Sequence, residues 1–145
     1  MLYHLIYVSK AVKPLSGEAL NHLLLQSRRW NESVGITGML LYIERHMMSQ
    51  VTGRFMQVIE GNEADIKSLF EKIKVDSRHH QITVLQQGNI GLRSFDNWLM
   101  GFKVMGWQEY MNRPGYLDMD ELFSGNEISL SSGVALNFMK TFYAM

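Results

Sequence analysis

Gly53-Arg-Phe-Met-Gln-Val-Ile-Glu-Gly61 is the stretch from which the fold of this chain can be worked out. As a β-strand it alternates between two mostly apolar faces, which carry Phe55, Gln57 and Ile59 on one side and Met56, Val58 and Glu60 on the other. Gln57 is then a carboxamide on an apolar face, and each of its groups left unpaired costs about 1 to 3 kcal/mol. Either a neighbouring backbone or hydroxyl group or a bound polar ligand must satisfy it.

Length and composition favour one soluble globular domain, because the chain has 145 residues of which 46% are hydrophobic. Its 14 Lys and Arg balance its 14 Asp and Glu, so no charged field indicates nucleic acid or an anionic membrane. The absence of cysteine excludes disulfides, thiol nucleophiles and zinc–thiolate sites. Without a signal-peptide pattern or an apolar run of about 18 residues, we expect a soluble, cytoplasmic protein.

The chain begins with a predicted strand and a predicted helix. Residues 2–8 alternate as a strand with Tyr7 on one apolar face. Ser16 is a plausible N-cap of a helix that runs to about residue 31. The helical spacing of its leucines places Asn31 on the inward side at the C-terminal end, although an Asn at a helix end is more often a cap or turn residue.

Four further elements complete a recognisable order. Residues 35–43 and 54–60 read as paired strands joined by a long loop over residues 44–52, and Asn62 caps a second helix with Ile66 and Ile73 on its apolar stripe. Residues 82–85 are a further strand. The order β-α-β-β-α-β predicts an α+β fold, a ferredoxin-like antiparallel sheet with both helices on one face.

The C-terminal part is less regular. Residues 95–102 alternate well enough for a fifth strand with Trp98 and Met100 on one face, and short helices are predicted over residues 118–123 and 134–143. Their apolar side chains, which include Phe138, Met139, Phe142 and Tyr143, predict packing on the free face of the sheet, with a subunit interface as the alternative.

Polar side chains converge on one cleft in such a fold. Asn31 at the end of the first helix and residues 72–79 at the end of the second flank it, and Tyr7 and Gln57 form its floor. A phenol, two amides and a cation in an apolar lining suit a flat heteroaromatic ligand. For Lys72 and Asp76, four residues apart, a solvated ion pair is an equal alternative.

Five segments, taken in order, resemble the BLUF family of blue-light receptors that use flavin. They are LIYVS at residues 5–9, RWNESVGITGMLLY at 29–42, GRFMQVIEG at 53–61, KVDSRHH at 74–80 and FDNWLMGF at 95–102. The resemblance runs from Leu2 to about Phe102 and implies a flavin-binding photosensor domain over residues 1–102. Residues 103–145 would be a C-terminal helical extension.

The resemblance also implies roles for individual residues. Tyr7 and Gln57 match the photoactive pair, and Asn31 matches an amide that holds the flavin ring. Trp98 and Met100 match the pair that carries the signal, and the remaining cofactor-binding candidates are Trp30, Lys72, Asp76, Arg78 and His79. Ile36, Thr37, Ile66 and Ile73 would line or support the site. The sequence departs from the family's pattern at Trp30, often a smaller Asn or His, at Lys72, more usually Arg, and in the long 44–52 loop.

The implied function is a blue-light photoreceptor, not an enzyme, with FAD as cofactor and FMN as the alternative. It would signal to an unidentified protein partner, as a homo-oligomer and without a metal, since the adjacent His79 and His80 point apart and no further ligands converge. Two rival functions remain open. One is a flavin-free ferredoxin-like interaction module in which Gln57 and Asn31 satisfy each other, and the other is an acylphosphatase-like hydrolase, for which residues 9–16 make a poor anion-binding loop.

Overall fold

Five strands and five helices make up the part of the chain that the computed structural model describes, residues 1–123 and 133–142. Their order and bounds are β1 (Leu2–Ala11), α1 (Gly17–Val34), β2 (Thr37–Met47), β3 (Gln50–Asn62), α2 (Glu63–Lys74), β4 (His79–Asn89), β5 (Gly101–Gly106), α3 (Trp107–Met111), α4 (Met119–Phe123) and α5 (Val134–Lys140). Among these described helices, none is both long and apolar enough to cross a membrane.

The strands form one sheet in the order β4-β1-β3-β2-β5. β1 pairs antiparallel with β3 and with β4, and β3 pairs antiparallel with β2. These four strands and the two helices between them have the predicted ferredoxin-like arrangement, so the α+β class is confirmed. β5 adds a fifth strand parallel to β2 at one edge of the sheet.

Each face of the sheet is covered by a different set of helices. Leu20 and Leu24 of α1 and Ile66 of α2 share one buried cluster with Tyr7 and Phe55. The cluster on the opposite face joins strand residues to the C-terminal helices, and it contains Ile6, Val8, Met56, Val58, Tyr110, Met119, Phe138, Met139 and Phe142. The alternation predicted for β1 and β3 is therefore confirmed. Tyr143 lies outside the described residues.

Local signals in the sequence set the helix ends. The Ser16 side chain accepts a hydrogen bond from the Ala19 N–H and caps α1, and Asn62 caps α2 in the same way through the Ala64 N–H. α1 continues to Val34, about one turn beyond the predicted end, and stops at Gly35, whose φ of 73° favours glycine. Asn31 consequently lies in the last turn of α1, at the C-terminal end of the helix as predicted.

The predicted long loop over residues 44–52 is wrong. β2 and β3 stay paired as far as Met47 opposite Gln50, so only Met48 and Ser49 form the turn. Met48 has a positive φ of 53°, a conformation typical of the tight turns that join hairpin strands. The polar residues of this stretch resembled a loop because the side chains at the end of the hairpin, residues 46–50, are exposed to solvent.

The predicted position of the fifth strand is also wrong, because residues 95–100 lie outside any strand, with a turn at residues 96–97 and a bend at residues 99–100, and β5 begins only at Gly101. The Trp98 N–H donates to the Phe95 carbonyl at 3.0 Å, so strand alternation does not apply there. Trp98 and Met100 were predicted on one face. Trp98 instead packs against the cluster of the C-terminal helices, and Met100 is buried in the cluster under α1 and α2.

Gly38 provides a test of how closely β2 approaches β3. A Cβ atom at Gly38 would lie 2.0 Å from the carbonyl oxygen of Val58, a backbone atom that cannot turn away. We expect Gly38→Ala to lower the free energy of unfolding by about 1 to 3 kcal/mol in urea titrations followed by circular dichroism. Gly17→Ala is the control, because no atom lies within 4 Å there, and it should match or slightly exceed the wild-type stability. A Gly38→Ala protein of unchanged stability would contradict the observed strand spacing.

Candidate functional site

A cleft opens between α1 and α2 above the central strands, where the sequence predicted it. Its apolar lining comes from both helices and two strands, namely Leu23, Leu40, Phe55, Leu69 and Ile73. Its other lining residues are Ser27 and six of the predicted site residues: Tyr7, Asn31, Gln57, Asp76, Arg78 and His79. The fold therefore brings together side chains that are up to seventy-two positions apart in sequence, from residue 7 to residue 79.

Tyr7 and Gln57 form the floor of the cleft. They lie directly opposite each other on β1 and β3, and the Tyr7 hydroxyl donates to Gln57 Oε1 at 2.5 Å. Both side chains are buried, at 3% and 6% exposure. Burial raises the pKa of Tyr7 above its usual value of 10, and the negative charge of Asp76 raises it further. The phenol thus keeps its proton and acts as a donor.

The Nε2 end of the Gln57 amide contacts a weaker hydrogen-bonding partner, the thioether of Met100. Gln57 Nε2 donates to the Met100 sulfur at 3.4 Å, and a thioether is a weak acceptor. The Gln57 amide therefore links the Tyr7 hydroxyl on β1, a strong donor, to the Met100 sulfur just before β5, a weak acceptor. Because its two ends have opposite hydrogen-bonding roles, turning the amide over would change both contacts together.

Asn31 and Arg28 of α1 hold the backbone beside Met100. The Asn31 side chain, only 1% exposed, donates from Nδ2 to the Leu99 carbonyl at 2.5 Å. Arg28 Nε donates to the Met100 carbonyl at 3.2 Å. The inward position predicted for Asn31 is confirmed, and its amide reaches both the cleft and the segment that carries Met100.

Asp76 and Arg78 order the connection between α2 and β4. Asp76 accepts hydrogen bonds from the Arg78 backbone N–H at 2.9 Å and from two guanidinium nitrogens, Nε at 2.9 Å and Nη2 at 2.5 Å. These contacts lower the pKa of Asp76, chiefly through the Arg78 side chain. The Arg78 carbonyl in turn accepts from the Val12 N–H at 3.0 Å, which ties the connection to the end of β1.

His79 is held at both ring nitrogens. Nε2 lies 2.6 Å from the Ile73 carbonyl, and Nδ1 lies 2.7 Å from the Ser9 hydroxyl. Because a carbonyl only accepts, Nε2 carries the proton in this contact, and Nδ1 accepts from Ser9 in that singly protonated ring. The ring makes edge contacts with Tyr7 and Phe55, with centroids 6.1 Å apart in each case. His79 is thus a fixed wall of the cleft.

Trp30 and Lys72 are not among the residues that line the cleft. The Lys72 ammonium lies 3.0 Å from the centroid of the Trp30 ring, so the two side chains form a cation–π contact between α1 and α2. The alternative ion pair between Lys72 and Asp76 is wrong, because Asp76 pairs with Arg78 instead.

Of the four supporting residues predicted, only Ile73 lines the cleft. Ile36 and Ile66 lie elsewhere in the same apolar cluster, and Thr37 donates to the buried carboxylate of Glu60. Five further residues line the cleft that were not predicted, although helix and strand periodicity could have indicated them: Leu23, Ser27, Leu40, Phe55 and Leu69. Within residues 1–123 and 133–142 no three His, Asp or Glu side chains cluster in a way that could hold a metal.

Comparisons with known proteins agree on one family. The family described as "BLUF: Sensors of blue-light using FAD" matches residues 2–101. The photoactivated adenylate cyclase subunit beta of Euglena longa is 32% identical over 101 residues, which is 68% of this chain and 11% of that protein. Subunit alpha of the cyclase from Euglena gracilis is 33% identical over 101 residues, 68% of this chain and 9% of that protein. The chain thus spans about a tenth of the length of these curated relatives.

Solved structures extend the similarity. The dark state of BlrB, a BLUF protein, superposes with a TM-score of 0.69 at 27% identity and covers 99% of this chain and 96% of its own. A bacterial light-regulated adenylyl cyclase has a TM-score of 0.63 at 33% identity over 72% of this chain and 28% of its own. BlrP1 of Klebsiella pneumoniae, with FMN and cyclic diGMP, has a TM-score of 0.62 at 31% identity over 72% of this chain and 26% of its own.

The pH dependence of stability tests the contact between Asp76 and Arg78. A carboxyl group whose pKa is lowered by folding stabilises the protein above its unfolded pKa of about 3.9, and this contribution is lost as the pH falls through the folded pKa. We expect Asp76→Asn to lower the free energy of unfolding by about 1 kcal/mol at neutral pH, measured by urea denaturation. The difference in the free energy of unfolding between Asp76→Asn and wild type should shrink at acid pH.

Glu71→Gln is the matched control for Asp76→Asn. It removes the exposed ion pair in which Glu71 Oε1 lies 2.8 Å from Lys74 Nζ. Its free energy of unfolding should differ from that of wild type by less than about 0.5 kcal/mol at any pH. A difference between Asp76→Asn and wild type that stays constant from neutral to acid pH would contradict the ionic contact.

Proposed function

The chain belongs to the BLUF family, the sensors of blue light using FAD, and we propose from that membership that the cleft between α1 and α2 holds the flavin ring and starts the light response. As a member of this family it is a flavin-binding blue-light sensor, and the flavin-free interaction module and the hydrolase are not favoured. The observation that supports the proposed site most strongly is the buried chain of hydrogen bonds from Tyr7 through Gln57 to Met100.

The donor set of the cleft fits a flavin ring. Aliphatic and aromatic side chains provide flat walls, and the phenol of Tyr7 and the amides of Asn31 and Gln57 provide donors and acceptors on one side. Asp76, Arg78 and His79 lie at the connection after α2, where we place the remaining polar contacts. We assign Trp30 and Lys72 to the boundary of the site, since their cation–π contact links the two helices that flank the cleft.

Tyr7 and Gln57 perform the proposed switch. When bound, the flavin supplies the absorption of blue light and a strongly oxidising excited state. Tyr7 would be the donor of an electron and its hydroxyl proton to that excited state and would then recover both, so that no net oxidation and no covalent bond would result. Its raised pKa means that the phenol does not lose its proton before it loses an electron.

The lasting change would be in the hydrogen bonds of the Gln57 amide. While Tyr7 lacks its proton, the phenol oxygen no longer donates to Oε1, and the amide is free to rotate or to tautomerise. A reversed amide would offer Nε2 to Tyr7 and withdraw its donor from Met100. The same change would alter the hydrogen bonds offered to the flavin and shift its absorption modestly to longer wavelength.

We propose FAD as the natural cofactor, as in the description of the family, with FMN as the alternative that accompanies BlrP1. Chromatography of the flavin released from the purified protein distinguishes the two. A cytoplasmic location stays a prediction from the sequence.

We further propose that the signal leaves through Met100 and Trp98. Met100 contacts Gln57 on the face covered by α1 and α2, whereas Trp98 packs against the cluster that contains the C-terminal helices on the other face. Residues 1–102 would sense light and residues 103–145 would respond, with β5 shared between them because it spans Gly101–Gly106. The output would pass to an unidentified protein partner or to a second copy of the chain, since relatives couple similar segments to adenylate cyclase.

Absorption spectra of the flavin-loaded protein test the switch. We expect blue light to move the flavin bands modestly to the red, with return in the dark. Gln57→Leu should keep flavin and lose the shift, because leucine has neither donor nor acceptor, and Tyr7→Phe should also lose it. Gln50→Leu, a change at an exposed position of the same strand, is the control and should shift normally. A normal shift in Gln57→Leu would show that the switch is wrongly assigned.

Hydrogen exchange tests the output route separately. Light should change amide exchange in α3, α4 and α5 of the wild type. In Met100→Ala that difference should shrink markedly while the flavin shift persists, because the contact from Gln57 Nε2 to sulfur is gone. Leu99→Ala, at a half-exposed position next to it, should retain the difference. Equal light-induced differences in Met100→Ala and Leu99→Ala would rule out transmission through Met100.

A further inference from the structure

Glu60 is a fully buried carboxylate that the switch described above does not use. It lies on β3, three positions beyond Gln57, and its exposure is 0%. Carboxylates are almost never fully buried unless they are paired or hydrogen-bonded, so the contacts of Glu60 indicate what the chain gains from keeping it there.

Both oxygens of Glu60 hold the start of the segment that leads to Met100. Oε1 accepts from the Phe95 backbone N–H at 2.7 Å and from the Thr37 hydroxyl at 2.9 Å. Oε2 accepts from the Ser94 backbone N–H at 2.9 Å. Two consecutive backbone amides bound to one carboxylate fix the position and direction of the chain where it leaves Ser94. Hydrogen bonds to a carboxylate are stronger than those between two neutral groups.

Arg93 completes the anchor from the other side. Its Nη1 donates to the Thr37 hydroxyl at 2.9 Å and to the Glu60 carbonyl at 3.1 Å, and its Nη2 donates to the Gly35 carbonyl at 2.8 Å. The guanidinium therefore supplies positive charge near the buried carboxylate, with the Thr37 hydroxyl between them. Residues 93–95 are tied to β2, β3 and the turn after α1.

The far end of the same segment rests on different contacts. The Trp98 carbonyl accepts from the Gly38 N–H at 3.0 Å, and the carbonyls of Leu99 and Met100 accept from Asn31 and Arg28. Met100 then meets Gln57. One strand, β3, thus touches both ends of the segment: Glu60 holds its beginning and Gln57 contacts its end.

We propose that Glu60 is a positioning residue of the light switch, which anchors residues 94–95 so that a change at Gln57 displaces Trp98 and Met100 and not the whole segment. The inference rests on the proposed function, because it concerns the same switch. A carboxylate suits this task since both of its oxygens accept, whereas an amide at the same place would turn a donor toward one of the two N–H groups.

Dark recovery of the flavin spectrum tests the proposal. In Glu60→Gln the flavin should still bind, because Glu60 does not line the cleft. Recovery after light should become about tenfold faster, as expected when one strong hydrogen bond no longer restrains the segment. Thr37→Val is the matched control: it removes the hydroxyl that lies between Glu60 and Arg93, but both backbone amides stay bound to the Glu60 carboxylate and Arg93 stays bound to the Glu60 carbonyl, so recovery should stay within about twofold of wild type. Equal recovery rates in Glu60→Gln, Thr37→Val and wild type would overturn the proposal.

Hydrogen exchange in the wild type gives an answer that does not depend on how well Glu60→Gln folds. The amides of Ser94 and Phe95 should stay protected in both dark and light, while those of residues 99–101 should change. Light-induced loss of protection at Ser94 and Phe95 would overturn the anchoring role even if the flavin shift is normal. Absence of any flavin shift in the wild type would instead contradict the proposed function.

Discussion

The hydrogen bond between the Tyr7 hydroxyl and Gln57 is the interaction around which this structure is arranged. It requires two polar side chains opposite each other on neighbouring central strands, with both almost wholly removed from water. Such a pair is costly unless each group is satisfied, and the amide has one end left over after Tyr7 is bonded. That remaining end reaches the sulfur of Met100 and so connects the sheet to the chain that precedes β5.

The rest of the molecule supports this pair from two sides. α1 and α2 enclose it and leave a cleft lined with apolar side chains, while the C-terminal helices cover the opposite face of the same strands. The segment before β5 runs between the two layers, held at one end by Glu60 and at the other by Asn31 and Arg28. A change at one amide therefore has a short physical path from the face of the sheet that bears the cleft to the face covered by the C-terminal helices.

Periodicity and capping predicted most of the fold. Alternation in β1 and β3 assigned the correct faces, and the caps at Ser16 and Asn62 marked where the helices begin. The hairpin was misjudged because polar, exposed residues near Met48 look the same in a loop and in a strand that projects beyond the core. The segment before β5 was misjudged because apolar alternation over residues 95–102 conceals a turn that depends on the distant Glu60.

The candidate site was predictable where a residue was unusual for its face. Gln57 is an amide on an apolar strand face and Asn31 is an amide on the inward side of a helix, and both patterns indicated a polar site. The family resemblance then placed Tyr7 in the same site. Two tertiary contacts were not predictable: the placement of Lys72 over Trp30 and the three donors that meet Glu60. They leave no periodic signal in the sequence because they join residues from separate elements. The pairing of Asp76 with Arg78 is local, but it lies in the connection between α2 and β4, where neither helix nor strand periodicity applies.

The central claim is that light changes the hydrogen bonding of the Gln57 amide. The most direct measurement is the nuclear magnetic resonance spectrum of flavin-loaded protein with nitrogen-labelled glutamine side chains, recorded in the dark and under blue light and assigned with Gln57→Leu. The account predicts that the Gln57 amide signals move on illumination, return in the dark, and stay fixed in Tyr7→Phe. Gln57 signals that do not move while the flavin absorption shifts would contradict it.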